Sequence, residues 1–235
     1  MISSTSVTTV EYSIADAADL AMGASGSRYS WRGQRVELPL VGRFNVVNAI
    51  AAAEVCIALG HGADAVAGAL STVSAPPGRF ELVDAGQPFL VVFDYAHTPD
   101  GLDQLLETTR ELTNGRVILV FGCGGDRDRS KRPRMGEVGC RRADVVVVTS
   151  DNPRSEDPSA IIAAVKNGCV GREPLTEIDR RAAIGLAIDA ATDGDVVVIA
   201  GKGHETTQTI GDRVVPFDDR DVAREHLARR GWSAV

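Results

Sequence analysis

Val145-Val146-Val147-Val148-Thr149-Ser150-Asp151-Asn152-Pro153-Arg154-Ser155-Glu156-Asp157-Pro158 carries three signals in succession. Its first five residues are an unbroken β-branched run, the composition of a parallel strand buried on both faces. Its last two set Asp157 as an N-cap with Pro158 at the first position of a helix. The polar residues between, Ser150 to Glu156, therefore fall at the carboxyl end of a central strand, where open α/β sheets bind ligands. Pro153 fixes its own φ and biases Asn152 towards extended backbone, so the loop can hold Asn152 and Arg154 in one arrangement. Taken alone, the stretch is equally consistent with a capped strand–helix turn bearing a solvated arginine.

The same rhythm extends on both sides. Apolar runs predict strands at 80–84, 89–94, 117–121, 145–149 and 196–200, with a short strand at 175–178 and a terminal hairpin at 208–210 and 214–216. Helices are predicted over 100–112, 132–142, 158–167, 180–191 and 219–229, with Asp179 capping the fourth. This alternation defines an α/β fold with a doubly wound, mostly parallel sheet. Before the boundary signal Ser74-Ala75-Pro76-Pro77-Gly78 the pattern differs. There 8–14, 28–31 and 36–40 read as short strands, Gly33-Gln34 as a turn, and 49–59 and 63–73 as helices. The expected domains are 1–76 and 77–235, the first holding too few elements for a complete α/β unit.

The totals narrow the class. At 235 residues, 44% hydrophobic and 24% charged, the composition is that of a soluble globular chain. A net charge of -7 argues against a nucleic-acid surface. Cys56, Cys123, Cys140 and Cys169 are scattered without a Cys-x-x-Cys pair, so reduced thiols are expected, with neither a zinc site nor a disulfide. No apolar run approaches the ~20 residues of a membrane span. The first ten residues lack the basic and apolar regions of a signal peptide. A cytoplasmic location is the expectation.

Polar clusters follow the predicted strands: Asp94-Tyr95-Ala96-His97-Thr98-Pro99-Asp100, then Gly122-Cys123-Gly124-Gly125-Asp126-Arg127-Asp128-Arg129, then the opening stretch, then Gly201-Lys202-Gly203-His204-Glu205. In a parallel sheet they converge on one edge. The glycine-rich turn with its arginines suits an anion, or is simply a tight turn before a charged loop. Gly201-Lys202-Gly203 resembles part of a phosphate loop, yet no Gly-x-x-x-x-Gly-Lys-Ser/Thr occurs in the chain. His97 reads as a base, a ribose ligand or a structural residue, and His204 likewise. Asp94 suits a sugar hydroxyl or a helix cap, and Glu205 a solvated turn. Asn45 and Asn48 flank a helix start, where capping accounts for one of them.

Together the clusters Asp94-Tyr95-Ala96-His97-Thr98-Pro99, Phe121-Gly122-Cys123-Gly124-Gly125-Asp126-Arg127-Asp128 and Gly201-Lys202-Gly203-His204-Glu205 resemble the Mur ligases, ATP-dependent amide-forming enzymes of peptidoglycan synthesis. The resemblance is to the branch that adds the third peptide residue. Asp151-Asn152-Pro153-Arg154 is similar to the loop of its meso-diaminopimelate-adding members, and lysine-adding members differ there. The activity implied by the resemblance is ligation of meso-diaminopimelate to the D-glutamyl carboxylate of a UDP-N-acetylmuramoyl dipeptide through an acyl phosphate, with ATP and Mg2+. The resemblance also implies that Arg127, Asn152, Arg154, Gly201 and Glu205 contact diaminopimelate, with Glu205 meeting an ammonium and Asn152 and Arg154 gripping the distal end. By the same resemblance Asn48, Arg79 and Asp94 contact ATP near adenine, phosphate and ribose. It assigns no residue as catalytic or as a metal ligand. The expected partners are these small molecules, with no nucleic acid, no membrane span and a monomeric state. The physics is consistent, since diaminopimelate carries a distal carboxylate that lysine lacks, and a forked guanidinium matches it.

The family's uridine-nucleotide domain, phosphate loop, magnesium ligands and carbamylated lysine have no counterpart in these residues. Residues 1–76 resemble the end of the central ATP-binding domain and 77–235 the carboxyl-terminal, Rossmann-like domain. The expectation is a fragment of a longer ligase, inactive by itself, because the strands before Gly42 would lack their partners. The rivals are a lysine-adding or folylpolyglutamate-type ligase and a non-catalytic amino-acid-binding module.

Overall fold

A computed structural model describes residues 9–233, in two compact units, Met1–Ala75 and Pro76–Val235. The first unit pairs a small antiparallel sheet with two helices. A 3-10 turn at Ile14–Asp16, capped by Ser13, leads into β1 (Ala18–Gly23), β2 (Gly26–Trp31) and β3 (Gln34–Leu38). The strand expected at 8–14 is absent over its described part, where a capping box between Ser13 and Asp16 turns the chain instead; Thr8 lies outside the described residues. β1 was not anticipated, because Ala-Asp-Leu-Ala-Met-Gly does not alternate and its pairing with β2 is irregular between Ala18 and Ala21. The β2–β3 hairpin closes on Arg32-Gly33, both at positive φ (48° and 75°), the two-residue turn whose twist matches its strands.

Helix α1 (Arg43–Ala58) begins six residues before the expected start at 49, directly after Gly42 at φ 98°. Neither Asn45 nor Asn48 caps it. Both lie inside the helix, and the Asn45 amide donates to Val41 O at 2.9 Å. Helix α2 (Ala63–Leu70) completes a core of Tyr29, Trp31, Val36, Leu38, Val46 and Ile50. Glu54 on α1 ties the hairpin down, accepting from Trp31 Nε1 at 3.1 Å and from both prongs of Arg32.

The second unit is the doubly wound sheet. Its order is β4 (Glu81–Leu82), β5 (Leu90–Asp94), β9 (Val196–Ala200), β6 (Val117–Phe121), β7 (Val145–Thr149), β8 (Leu175–Glu177), parallel except for the β4–β5 edge. The strand expected over 80–84 shrinks to two residues because Phe80 adopts φ 44°. Helices α3 (Pro99–Glu111), α4 (Lys131–Arg142) and α5 (Pro158–Lys166) cover one face. Helix α6 (Arg180–Ala190) covers the other, with α7 (Asp219–Arg229) against it. The hairpin β10 (Thr207–Ile210) and β11 (Arg213–Pro216) precedes α7.

Strand alternation serves both faces. Ile118, Val120, Val197 and Ile199 pack with Ile184 and Ile188 of α6, while Leu119 and Phe121 meet Gly139 of α4. Each such fully buried aliphatic side chain contributes about 1.5–3 kcal/mol. Caps fix where the helices start: Thr98 before Pro99, Asp157 before Pro158, Asp179 before Arg180.

The reduced thiols expected at all four cysteines are corrected at two. Cys140 on α4 and Cys169 beyond α5 form a disulfide, with Cα atoms 5.5 Å apart. The pairing follows from close packing of the two helices, where Gly136 faces the Val165 carbonyl, and so leaves no signature in cysteine spacing. Cys56 and Cys123 are free. Among the described residues no helix is long and apolar enough to cross a membrane.

Candidate functional site: the carboxyl edge of the parallel sheet

Parallel pairing brings the ends of β5, β9, β6 and β7 to one edge, and their loops are laced together by hydrogen bonds. After Thr149 the chain stays buried through Ser150, Asp151 and Asn152, then turns at Arg154, whose φ is 51°. That left-handed backbone is pinned from the hairpin side. Arg154 N donates to Thr209 O at 3.1 Å, and Gly211 N donates to Arg154 O at 2.7 Å. The guanidinium spends Nη1 on Gly125 O (2.8 Å) and Asn152 O (3.4 Å). Its Nε and Nη2 form no hydrogen bond among the described residues, which leaves a two-pronged donor edge for an anion.

The glycine-rich loop after β6 packs against this turn. Gly125 N donates to Asn152 O at 2.9 Å, and a Cβ on Gly125 would lie 1.9 Å from Pro153 O, so only glycine fits. Asp126, at φ 54°, accepts from the Ser155 amide (3.1 Å) and hydroxyl (2.7 Å). Glu156 closes the seam by accepting from Asp126 N at 2.7 Å and from both prongs of Arg132 at 2.8 and 3.0 Å. The Arg132 hydrogen bonds draw its carboxyl down to about 2. Arg127 stands exposed, and among the described residues its guanidinium bonds only to its neighbour's carbonyl, Asp126 O, at 3.0 Å. Gly124 lies between Arg127 and Arg154: a Cβ there would be 3.0 Å from Arg154 Nη1 and 3.8 Å from Arg127 Cγ.

The β9 end supplies the acidic partner. Gly201, at φ 114°, donates its N–H to Asp94 O at 3.0 Å, and a Cβ there would fall 2.7 Å from Asp151 Oδ2. Lys202 is fully buried. Its ammonium donates to Thr207 O (2.6 Å), Glu205 Oε2 (3.2 Å) and Asn152 Oδ1 (3.3 Å). The lysine of Gly201-Lys202-Gly203 thus points inward, in keeping with the absence of a full phosphate-loop motif. The Asn152 amide donates to Glu205 Oε2 at 2.8 Å, so two of the expected ligand-contacting residues touch each other. Glu205 is half-buried, and its Oε1 accepts no hydrogen bond among the described residues.

Beneath these loops lies an ion pair with no access to solvent. Arg180, the first residue of α6, binds Asp219 with two 2.7 Å bonds and also reaches Ser150 O (3.3 Å) and Ala200 O (3.1 Å). It thus bridges the ends of β7 and β9. Burial pushes the Asp151 carboxyl up, opposed by the nearby charges of Arg180 and Lys202. Nothing in the sequence marks Arg180 as buried, because an arginine after an aspartate N-cap reads as a solvated first turn.

Two of the remaining expected residues, Asp94 and Arg79, lie near each other. Asp94 accepts from Phe80 N (2.8 Å) and Ala96 N (2.7 Å), and burial pushes its carboxyl up. It does not cap α3, which Thr98 does. Arg79 is exposed and lies 4.8 Å over the Tyr95 ring, which in turn meets the rings of His97 and His204. Asn48 is exposed on α1, in the first unit. Among the described residues no group of three or more His, Cys, Asp or Glu side chains is placed to hold a metal ion.

Known proteins share this architecture. A UDP-N-acetylmuramoyl-L-alanyl-D-glutamate–2,6-diaminopimelate ligase from Geobacillus kaustophilus is 53% identical over 199 residues, covering 83% of this chain and 40% of that protein. One of the same name from Bacillus cereus is 42% identical over 236 residues, covering 97% and 48%. A solved structure of such a ligase superposes with a TM-score of 0.68 at 40% identity, over 91% of this chain and 45% of that one. A UDP-N-acetylmuramate-alanine ligase from Thermotoga maritima shares the fold, with a TM-score of 0.62 at 20% identity over 90% of this chain and 44% of that one. The chain spans about 40% of the length of the first curated relatives it matches. Residues 78–203, which carry every loop of this edge from the Arg79 turn to Gly203, match the family described as Mur ligase, glutamate ligase domain, and the chain belongs to that family.

Proposed function

We propose that the edge of the sheet takes meso-diaminopimelate, and that the chain is the carboxyl-terminal part of an ATP-dependent ligase joining that amino acid to a UDP-N-acetylmuramoyl dipeptide in peptidoglycan synthesis. The names of the similar proteins support this reading. The observation that carries it is the pairing of unspent groups on one laced set of loops. Arg154 offers two free guanidinium nitrogens, and Glu205 offers one free carboxylate oxygen, with Asn152 between them. The distal end of diaminopimelate bears a carboxylate and an ammonium, and calls for one cation and one anion. Arg127 and the Gly201 backbone complete the set. The chain's task in the reaction is to hold the amino acid so that its attacking amine faces the D-glutamyl carbon, away from competing water.

ATP, with Mg2+, supplies the phosphoryl group that activates the D-glutamyl carboxylate. Exposed Arg79 beside Tyr95 fits a phosphate contact. Asp94 fits a ribose hydroxyl less well, since backbone N–H groups already engage both its oxygens. Asn48 is the adenine contact in this reading. No cluster of the described residues fits Mg2+. Residues 1–76 are the end of the central ATP-binding domain and 77–235 the carboxyl-terminal domain of a monomeric, cytoplasmic enzyme, and this chain alone is inactive.

Calorimetric titration of the chain with meso-diaminopimelate and with lysine tests the reading. Selective binding that Arg154→Ala abolishes is expected. Equal affinity for the two amino acids refutes the role of Arg154, because its half-buried guanidinium would then gain nothing from the distal carboxylate that lysine lacks.

A further inference from the structure

Lys202 is the buried charge that the recognition scheme above leaves unused. Its ammonium has three protons, and three acceptors take them: Thr207 O, Glu205 Oε2 and Asn152 Oδ1. No proton is left for a ligand, and the side chain has no exposed surface. The bonds nevertheless decide how the two neighbouring side chains stand. Asn152 Oδ1 also accepts from Thr209 N at 2.9 Å. Two groups that can only donate face that atom, so it is the amide oxygen, and Nδ2 is forced towards Glu205. Glu205 in turn has Oε2 occupied twice, by Lys202 and by Asn152, and presents Oε1 outward.

We propose that Lys202 is a positioning residue of the amino-acid site: it fixes the Asn152 amide and the Glu205 carboxylate so that Glu205 Oε1 and the second Asn152 amide proton face the ligand, which Lys202 itself does not touch. The proposal rests on the reading of this edge as a diaminopimelate site. Without the ammonium, Asn152 loses one of the two donors that set its orientation and Glu205 loses its one salt bridge among the described residues. Both side chains are then free to turn away, while the strand ends, held by Arg180 and the Gly201–Asp94 bond, remain.

The test uses the 235-residue chain labelled with 15N. In the unmodified chain the Asn152 carboxamide should give a dispersed, slowly exchanging NH2 pair close to the Glu205 side chain. In Lys202→Met the backbone spectrum should persist while that pair moves to the position of a free amide and exchanges rapidly. Affinity for meso-diaminopimelate should fall at least tenfold, with Lys202→Arg between the two. An Asn152 pair unchanged in Lys202→Met, or an affinity unchanged despite its release, overturns the proposal. If Lys202→Met does not fold, the unmodified chain decides: a slowly exchanging Lys202 ammonium signal coupled to the Glu205 carboxylate supports it, and absence of that signal overturns it. Failure of the unmodified chain to bind meso-diaminopimelate counts against the proposed function, and the Asn152 and Lys202 signals then still decide what Lys202 organises.

Discussion

Replacing Arg180 with methionine should destabilise the second unit far more than any exposed arginine would. The change leaves Asp219, 1% exposed, without its cation and strips donors from the Ser150 and Ala200 carbonyls. Removing one partner of a buried ion pair costs about 3–5 kcal/mol. For a unit of this size each kcal/mol shifts the midpoint by about 2–4 °C, so a fall of roughly 6–20 °C is expected. Removing both charges is different in kind, because an apolar pair of similar volume needs no desolvated charge at all. Arg180→Met with Asp219→Leu should regain most of the loss, to within about 1–2 kcal/mol of the unmodified chain. Urea denaturation followed by circular dichroism at neutral pH measures both variants. A single substitution costing less than about 1 kcal/mol, or a double one costing as much as the two singles summed, would show that the pair is not what holds β7 and β9 in place.

Two further outcomes rest on the lacing of the loops and helices. Glu156 is held at about 2 against an ordinary 4.5, so its contribution to stability is fully present above pH 4.5 and is lost as the pH falls through 2; the stability gap between the chain and Glu156→Gln should shrink across that window in acid titrations, and a constant gap would contradict the assignment. Cys140→Ser opens a 29-residue link between α4 and the end of α5, a loss of about 3–4 kcal/mol by chain entropy; an equal denaturation midpoint for the chain with and without reductant would show that the link does not stabilise the fold.

The central parallel strands were legible because each is dominated by apolar residues, as at Val145–Thr149 and Val196–Ala200. Two helix starts were legible because an aspartate N-cap stands directly before Pro158 and before Arg180, whereas α1 begins six residues ahead of its expected start and α3 is capped by Thr98 instead of Asp94. The irregular pieces were less so. Phe80 and Arg154 take left-handed backbone that no residue of their type prefers, and β1 lacks alternation. Within the candidate site, the residues that face outward stood in recognisable loops. Those that hold them, Arg180, Lys202 and Glu156, look like ordinary surface charges in sequence. Burial of a charge depends on which loops meet across the sheet, and that is decided by strand order.

Strand order also has a consequence for how the chain is made. β9 lies between β5 and β6, yet the residues that form it emerge from the ribosome more than a hundred positions after β5 begins at Leu90. At ordinary translation speeds that interval is on the order of ten seconds. Until β9 arrives, the edges of β5 and β6 that it pairs in parallel have no partner between them. The second unit therefore closes late and from its middle, when Val196–Ala200 slides between strands made long before. A stalled or clipped chain ending ahead of Val196 would lack the slat that joins its two flanks, and would be handed to chaperones or proteases.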